Sequence, residues 1–529
     1  MSPRHGTPVR GLSNVPRSSV RDQRFGRLFR DLPPAEFAIR DADADAALTA
    51  LGLSMIRPPE ADKPVGAPDL DENPTVPAGY TYFGQFIDHD ITFDPASSLD
   101  RFNDPDALQD FRTPRLDLDS VYGSGPDDQP FLYDEDGAHL LLGDFPGGEP
   151  HGFELPRNRN AAGVPRHALI GDKRNDENII VSQLHATMLR FHNAVLDRIL
   201  ATGVTKARAF LLAQQTVRWH YQWIVLHDFL PRIVGRTIYD GIFLHGRDKR
   251  PVLNLYKPGG RYAFIPVEFS VAAYRYGHSQ VRPSYALNRI VGGGSTERSV
   301  PIDNVGGTGI FFRVPIFSAA NALTAVGKTP SEIEDLEIAN LNGFRKLPSH
   351  WVIDWSFFLP DVDAVPGEAK GTVQPSYKID AQLVDPLRSL PDHAGEQIIA
   401  RRALSVLNLL RSWRFGLPSG QSVARILEFT PIPDDQLFTG DQKPILDAFK
   451  DAFKDNAPLW FYILKEAELE ANGEHLGPVG GTIVAEVLTG LIAEDGQSFL
   501  SQWPQWKPTL PAKVAGEFTL SDLVNFAIA

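Results

Sequence analysis

The stretch FGQFIDHDITFD, residues 83–94, places one histidine between two aspartates in an otherwise apolar and aromatic segment. If the stretch is helical, Gln85 and His89 lie on one face, four residues apart. Asp88 and Asp90 then point about 100° to either side of the histidine. An imidazole can accept and donate protons near neutral pH, while each carboxylate can serve a separate partner. An isolated Asp-His-Asp triplet is more often a surface feature, so other segments must decide.

A second segment, FRTPRLDLDSVYGSG, is rich in side-chain oxygens. An extended backbone would present Thr113, Asp117 and Asp119 on one side, together with the carbonyl of Arg115. Hard oxygen ligands at this spacing suit Ca²⁺, which takes six to eight of them. Asp90 is the natural further ligand, since it points away from the side that His89 uses. Taken alone, such a segment is more often a solvated acidic loop.

Three further segments hold polar residues in informative places. Arg174 and Glu177 lie three residues apart, directly before a long helical pattern. Such a pair is usually a surface ion pair that contributes little to stability. His278 stands alone among aromatic residues, a setting more typical of a hydrogen-bonded core histidine than of a ligand. Asn408 falls on an apolar helix face and needs a definite partner there. Each of these signals is weak by itself.

The elements that must position these residues are predominantly helical. Apolar residues step by four and three from Leu184 to Ile199, which predicts a long helix from about residue 178 to a stop at Gly203. A second helix is predicted to begin at Lys206 and to end before Pro231. Further helical patterns cover 262–285, 396–412, 441–473 and 480–495. Period-2 strands are few and short, so the predicted fold class is mainly α, with long ordered loops.

The domain organisation follows from the absence of a low-complexity linker after the Pro-rich connection at residues 57–80. We expect residues 1–45 to form an N-terminal arm that packs on the rest, and residues 46–529 to form a single domain. The N-terminus is rich in arginine and has no apolar h-region, so a Sec signal peptide is not predicted. No run of eighteen apolar residues suggests a membrane span. The compartment stays open between the cytoplasm and export without a signal peptide.

Composition excludes several classes of function. The 529 residues carry 52 basic and 66 acidic side chains, a net charge of −14, which argues against nucleic acid as the main partner. The chain has no cysteine. Disulfides, thiolate metal ligands and a cysteine nucleophile are therefore excluded, and any metal must be held by histidine, carboxylate, carbonyl or tyrosine ligands.

Taken together, the five motifs resemble in order and spacing those of the animal-type haem peroxidases, the peroxidase-cyclooxygenase superfamily. The resemblance runs from RFGRLF at residue 24 to LGPVGGTIVAEVLTGLI at residue 476. It implies a mainly α fold in which central helices sandwich a haem, with few short strands. It also implies an enzyme that reduces H₂O₂ through an oxoferryl intermediate and oxidises small organic donors, halides or thiocyanate.

The resemblance assigns roles on the distal side of the haem. His89 matches the histidine that takes a proton from H₂O₂ and returns it to the departing oxygen. Arg174 matches the arginine that stabilises charge as the O–O bond breaks, and Gln85 would position water, peroxide or halide. Asp88 and Glu177 match the carboxylates that form ester bonds to methyl groups of a haem b-derived cofactor in many members.

The resemblance also assigns the proximal side. His278 matches the ligand of the haem iron, and Asn408 the acceptor for the other ring N–H of that histidine. Arg275 stands where related fatty-acid dioxygenases carry a radical tyrosine, which favours a peroxidase, although Tyr274 and Tyr276 flank this position. The implied calcium ligands are Asp90, Thr113, Arg115, Asp117 and Asp119.

Two of the positions depart from the family pattern. Asp119 replaces a residue that is often serine, which adds a negative charge to the calcium site. Asn178 stands where some members have a methionine linked to the haem, so no such link is expected.

Alternatives to a peroxidase remain open at this point. A haem-dependent fatty-acid dioxygenase on the same fold is one, and a haem-free calcium-binding or adhesion module is another. A non-haem metal enzyme could use Asp88, His89 and either His185 or His192, which lie seven residues apart on one helix face. Packing on a helix stripe is the simpler interpretation of that histidine pair.

Overall fold

The protein is described by a computed structural model that covers residues 25–59, 69–93, 110, 112–143, 154–160, 165–258, 263–288, 313–317, 340–347, 351–363, 370–393 and 396–529. Within these ranges the α-helices are α1 (Asp41–Ser54), α2 (Ala78–Ile91), α3 (Asp119–Tyr122), α4 (Ile179–Leu200), α5 (Lys206–Ile224), α6 (Leu230–Ile242), α7 (Leu404–Arg414), α8 (Gly420–Ile426), α9 (Asp434–Leu437), α10 (Lys443–Ala448), α11 (Lys450–Phe453), α12 (Leu459–Ala471), α13 (Pro478–Glu494), α14 (Phe499–Gln502) and α15 (Leu520–Ile528).

Strands in the described ranges are short and form two-stranded pairs. They are β1 (Phe25–Gly26), β2 (Glu72–Pro77), β3 (Arg157–Arg159), β4 (Pro165–Ala168), β5 (Ile265–Pro266), β6 (Ser284–Tyr285), β7 (Val314–Pro315) and β8 (Pro375–Tyr377). β1 pairs in parallel with β5, whereas the pairs β2–β8, β3–β4 and β6–β7 are antiparallel. The predicted fold class, mainly α with few short strands, is therefore confirmed.

The core is built where long helices pack on one another. α4 packs against α2, α5 and α15, and α13 packs against α6 and α12. α4 begins at Asn178, whose side chain accepts a hydrogen bond from the backbone N–H of Ile180 and so caps the helix. α15 begins with a capping box between Thr519 and Asp522. Helix α2 consequently lies in the interior, between α4 and the segment Ala273–His278.

The second predicted helix does not end before Pro231. After α5 the chain makes one π-helical turn, Val225–Phe229, and continues directly as α6. Pro231 lies just after this π-helical turn, and because it has no N–H it cannot donate to a carbonyl of the preceding turn. The helix 178–203 is confirmed by α4, and the pattern at 480–495 is confirmed by α13.

Three other helical predictions were too long. The pattern at 262–285 forms only a π-helical turn, Glu268–Ala272, and a 3₁₀ helix, Ala273–His278. The pattern at 396–412 becomes α-helical only from Leu404. The pattern at 441–473 is split into α10, α11 and α12, with Asp455 in a left-handed conformation at φ 51° between the last two. Tertiary packing of short segments overrides the local helical period in each case.

The division of the chain at residue 45 stays a prediction. Residues 1–24 of the arm lie outside the described residues, and α1, which spans residue 45, packs against α7. In the part of the chain that the structure describes, none of the helices combines the length and the apolar character that a membrane span requires.

Replacing Gly490 by alanine tests the packing of α13. A Cβ at Gly490 would lie 2.2 Å from Cδ1 of the buried Tyr256 ring, so helix and ring must move apart. We expect Gly490→Ala to lower the free energy of unfolding by about 1–3 kcal/mol, measured by urea unfolding. Gly496→Ala is the matched control, since a Cβ there meets no atom within 4 Å. Equal unfolding midpoints for the two variants would contradict the packing described.

Candidate active site

His89 lies on the inner face of α2, with Gln85 one turn before it, as the helical prediction required. The His89 ring is buried, and its Nδ1 is 2.8 Å from Oδ1 of Asn175. Its Nε2 is 3.5 Å from Oε1 of Glu177. The amide nitrogen of Gln85 donates to the same Glu177 oxygen at 2.7 Å. The structure thus brings Gln85 and His89 together with Glu177, which lies 92 positions after Gln85 in the chain.

Glu177 faces an enclosed space. Protein surrounds its carboxylate, yet 33% of the side-chain surface is accessible. Gln85 and Asp88, on the same side of α2, are likewise half-buried. Burial acts to raise the pKa of Glu177, but the contact with His89 and the charge of Arg174 outweigh it and hold that pKa below its ordinary value. The cavity therefore presents an ionised carboxylate beside the imidazole.

Arg174 is anchored more firmly than the sequence suggested. Its Nη2 donates to the carbonyl of His89 at 3.0 Å and to the carbonyl of Thr92. The guanidinium also pairs with Asp172 at 2.8 Å and lies over the ring of Phe93, 4.9 Å from its centroid. Within the described residues, Nη1 has no hydrogen-bond acceptor. That nitrogen is the donor that Arg174 retains for a ligand.

Asp172 supports both Arg174 and the turn that carries it. Its side chain is 1% exposed, accepts the backbone N–H of Arg174 at 2.8 Å, and pairs with Arg112 at 2.7 Å. Burial would raise the pKa of Asp172, but the two guanidinium groups hold it well below its usual range. The carboxylate is therefore charged, and it stabilises the segment Lys173–Asp176 next to α4.

The second histidine of interest, His278, ends the 3₁₀ helix Ala273–His278. Its Nδ1 is 2.8 Å from the amide nitrogen of Asn408 on α7. The amide oxygen of Asn408 accepts from Nη1 of Arg275 at 2.9 Å. Burial lowers the pKa of His278 to about 3 and the pKa of Arg275 to about 10. His278 is consequently a neutral imidazole, the form that binds metal.

The predicted contact between His278 and Asn408 is present, but its direction differs from the expectation that Asn408 accepts. A guanidinium can only donate, so Arg275 takes the amide oxygen and leaves the amide nitrogen for the imidazole.

The two histidine segments border the same interior region. Asp88 on α2 interacts electrostatically with both Arg174 and Arg275. A Cβ built on Gly277, next to His278, would meet no atom within 4 Å, so open space adjoins the backbone at Gly277. A haem would find a neutral imidazole at His278 and a histidine-amide-carboxylate set at His89, Gln85 and Glu177. The residues present fit a haem.

A cluster of three carboxylates, one buried and two half-buried, lies beside α2. Ligand oxygens of Asp90, Asp117 and Asp119 are within 4.8 Å of one another, and the hydroxyl of Thr113 donates to Asp117 at 2.9 Å. The predicted extended backbone is wrong, because Leu118 is left-handed at φ 62° and Asp119 opens the short helix α3. This bend, rather than strand alternation, brings the carboxylates together.

Charge in this acidic cluster is only partly balanced. Burial and the neighbouring charge of Asp117 raise the pKa of Asp90 to about 7. Burial also raises the pKa of Asp119, although Arg112, 3.4 Å away, acts in the opposite direction. The side chain of Arg115 extends to Asp495 at 3.5 Å. A divalent cation would offset the repulsion among these carboxylates.

Two residues at the site, Asp172 and Asn175, escaped the sequence analysis, and His185 was considered only as a metal ligand. Asn175 contacts both His89 and His185, and its position between Arg174 and Glu177 is the one signal that could have drawn attention to it. Asp172 is found only through its contacts with Arg112 and Arg174.

The alternative non-haem metal site finds no support in the geometry. Both ring nitrogens of His192 are occupied, by the hydroxyl of Tyr122 at 3.0 Å and by the carbonyl of Ala138 at 3.1 Å. His185 has its Nδ1 against the amide of Asn175 at 2.9 Å. The helix stripe that carries both histidines serves packing and hydrogen bonding, as the simpler interpretation held.

Comparison with known proteins identifies the kind of domain. The family model for animal haem peroxidase matches residues 100–312, which include Arg174, Glu177 and His278. Heme peroxidase 2 of Caenorhabditis elegans is 27% identical over 179 residues. That match covers 32% of this chain and 23% of the nematode protein, so the chain spans only part of its relative.

Solved structures agree on the fold. Peroxidase A from Dictyostelium discoideum has a TM-score of 0.55 and 16% sequence identity, and the match covers 96% of this chain and 93% of that one. The fatty acid alpha-dioxygenase of Oryza sativa has a TM-score of 0.56 and 14% identity, over 92% of this chain and 78% of the other. At such identities the likeness concerns the fold alone.

Substitution of Asp172 tests its role in the interior. Asp172→Asn leaves two buried guanidinium groups without their shared carboxylate, so we expect a loss of about 3–5 kcal/mol in the free energy of unfolding. Urea unfolding followed by circular dichroism measures it. Asp240→Asn breaks only the exposed pair with Arg236 and should cost under about 1 kcal/mol. A similarly small loss of unfolding free energy in both variants would show that Asp172 does not stabilise the fold.

Proposed function

We propose that the chain is a haem peroxidase, because the family model for animal haem peroxidase matches residues 100–312 and the fold resembles that of a solved peroxidase. It would reduce H₂O₂ and oxidise small organic donors, halides or thiocyanate. The observation that carries the proposal is a pair of interior polar sets: the neutral imidazole of His278 held by Asn408, and His89 beside Glu177. Conversion of peroxide needs a metal ligand and a proton acceptor, and these two histidines supply them.

The haem would be held mainly from the proximal segment. To bind the iron through Nε2, His278 must carry its proton on Nδ1. The amide oxygen of Asn408, which already accepts from Arg275, would then turn to accept from Nδ1 and fix the orientation of the ring. Asp88 and Glu177, both facing the cavity, are the carboxylates that could form ester bonds to the porphyrin. When bound, haem would supply the electrons that peroxide reduction requires and later recover them from the donor.

The residues on the distal side would manage protons and charge. His89 would accept a proton from one oxygen of H₂O₂ and deliver it to the other oxygen, which leaves as water. Gln85, held by its hydrogen bond to Glu177, would position peroxide, water or halide. Arg174 would contribute positive potential and its free Nη1 donor, which favour the departing, electron-rich oxygen.

The acidic cluster is proposed to bind Ca²⁺. Asp90, Asp117 and Asp119 would supply carboxylate oxygens, Thr113 its hydroxyl, and Arg115 its backbone carbonyl. The close approach of the three carboxylates and their raised pKa values support a cation at this position. Since Asp90 directly follows His89, the ion would tie the helix of the distal histidine to the segment 112–119.

A fatty-acid dioxygenase is the second candidate, favoured by the resemblance of the fold to the rice enzyme. Tyr274 and Tyr276 are buried next to Arg275, and the hydroxyl of Tyr274 has no hydrogen-bond partner within the described residues. A tyrosine without a proton acceptor is a poor carrier of an oxidising equivalent, because its oxidation releases a proton. Arg275 itself cannot be oxidised, so the peroxidase proposal is preferred.

Absorption spectroscopy tests the peroxidase proposal. The purified chain should show a Soret band that changes on addition of H₂O₂, and His89→Ala should slow this change by about 100- to 10,000-fold with haem retained. His139→Ala, a histidine in surface ion pairs, should react like the parent. Haem that stays with the protein in acid acetone would indicate the ester bonds.

Two outcomes would count against the peroxidase. A His89→Ala variant that reacts at the parental rate would remove the proposed role of the distal histidine. Oxygen uptake on addition of linoleate, measured with an oxygen electrode, would favour the dioxygenase; we expect none.

Calcium binding is tested by thermal unfolding of the chelator-treated chain. Added Ca²⁺ should stabilise it, by about 2.7 kcal/mol when free Ca²⁺ is a hundred times the dissociation constant. Asp117→Asn should abolish most of this shift, since it removes a ligand, whereas Asp240→Asn should keep it. An equal shift in both variants would place the calcium elsewhere.

A further inference from the structure

One side-chain amide stands between two buried imidazoles. Oδ1 of Asn175 is 2.8 Å from Nδ1 of His89, and Nδ2 of Asn175 is 2.9 Å from Nδ1 of His185. Asn175 and His185 have no exposed surface, and His89 has little. Water is therefore not available to replace either hydrogen bond. The series of hydrogen bonds ends at Nε2 of His185, which is buried and has no hydrogen-bond partner within the described residues.

The chemistry of an amide fixes the protons in this chain. Asn175 has one acceptor atom and one donor group, so it can accept from one ring and must donate to the other. In the observed orientation, His89 carries a proton on Nδ1 and donates it to Oδ1. His185 then accepts at Nδ1 and carries its own proton on Nε2. The two histidines hold opposite tautomers.

This orientation leaves Nε2 of His89 as the acceptor atom, 3.5 Å from Oε1 of Glu177, and the charge of that carboxylate would stabilise a proton accepted there. A reversed amide would place a proton on Nε2 and an N–H group against Nδ1. His89 could then not accept a proton at Nε2, and a doubly protonated ring would face the amide donor. Burial lowers the pKa of His185 to about 3, so that ring stays neutral and keeps a lone pair for the amide.

We propose that Asn175 is a positioning residue: with His185 as its anchor, it fixes His89 as the Nδ1–H tautomer and so presents the Nε2 lone pair to the cavity. That the proton accepted there comes from peroxide rests on the proposed function. The tautomer itself is a property of the chain and can be measured separately.

Two other buried histidines provide internal references for the measurement. His192 donates from Nε2 to the carbonyl of Ala138, since a carbonyl can only accept, and is thus an Nε2–H tautomer. His220 donates from Nδ1 to the carbonyl of Thr216, and its Nε2 accepts the N–H groups of Thr509 and Leu510. None of these groups contacts Asn175.

Nitrogen-15 NMR of the full chain with labelled histidines reports the tautomer of each ring through its nitrogen chemical shifts. The ferrous carbon monoxide complex is diamagnetic and suits the measurement. His89→Gln and His185→Gln assign the two resonance sets by their loss. We expect the ring shifts of His89 to match the Nδ1–H pattern of His220, and those of His185 to match the Nε2–H pattern of His192.

Two substitutions of Asn175 distinguish the effect of its hydrogen bonds from the effect of its size and shape. Asn175→Asp offers a carboxylate that can only accept, so His89 should keep its proton on Nδ1 while His185 moves its proton to Nδ1. Asn175→Leu removes the acceptor, so the His89 shifts should leave the Nδ1–H pattern. In that variant the peroxide-driven change of the Soret band should slow by about 10- to 100-fold at unchanged haem content. The shifts of His192 and His220 should stay constant in both.

The inference is overturned if His89 carries its proton on Nε2, or if Asn175→Leu leaves its tautomer unchanged. Should Asn175→Leu fail to fold, the parent and Asn175→Asp spectra decide. A chain that binds no haem would refute the proposed function, yet the same spectra of the haem-free chain would still report the tautomers of His89 and His185.

Discussion

The site depends on one constraint, the burial of charge beside α2. The Asp172 carboxylate lies in the interior because two guanidinium groups, from Arg112 and Arg174, balance it there. By accepting the backbone N–H of Arg174, it also fixes the turn that presents Asn175 and Glu177 to His89. Removing one charge would leave the others unpaired, so the loop, the helix and the cavity are coupled.

Helix α2 distributes its polar residues among three environments. Gln85 and His89 face Glu177, while Asp88 lies within the electrostatic range of Arg174 and Arg275. Asp90 points to the opposite side, where Ser120 donates to it at 2.9 Å and two further carboxylates approach. The helical rotation of about 100° per residue explains why adjacent aspartates serve different partners. The flanking aspartates of the opening segment therefore do not pair with the histidine between them.

Much of this arrangement could be predicted from residue order. The period of apolar residues indicated α4 and α13, and the spacing of Gln85 and His89 indicated their common helix face. The prediction failed where local period and tertiary packing disagree, as at residues 262–285. It also failed at residues 112–119, where a left-handed Leu118 bends a backbone that was expected to be extended.

The sequence by itself determined the chemical inventory: imidazoles, carboxylates and an arginine in an order that resembles a known family, without any thiol. Only the tertiary structure decided how each polar group is satisfied. Asn175 lies 86 positions from His89 in the chain, and Arg275 lies 133 positions from Asn408. Which atom of a buried amide faces which ring depends on donors that arrive from distant segments, because a buried polar group without a partner is energetically costly. A local sequence pattern does not specify those hydrogen-bond partners.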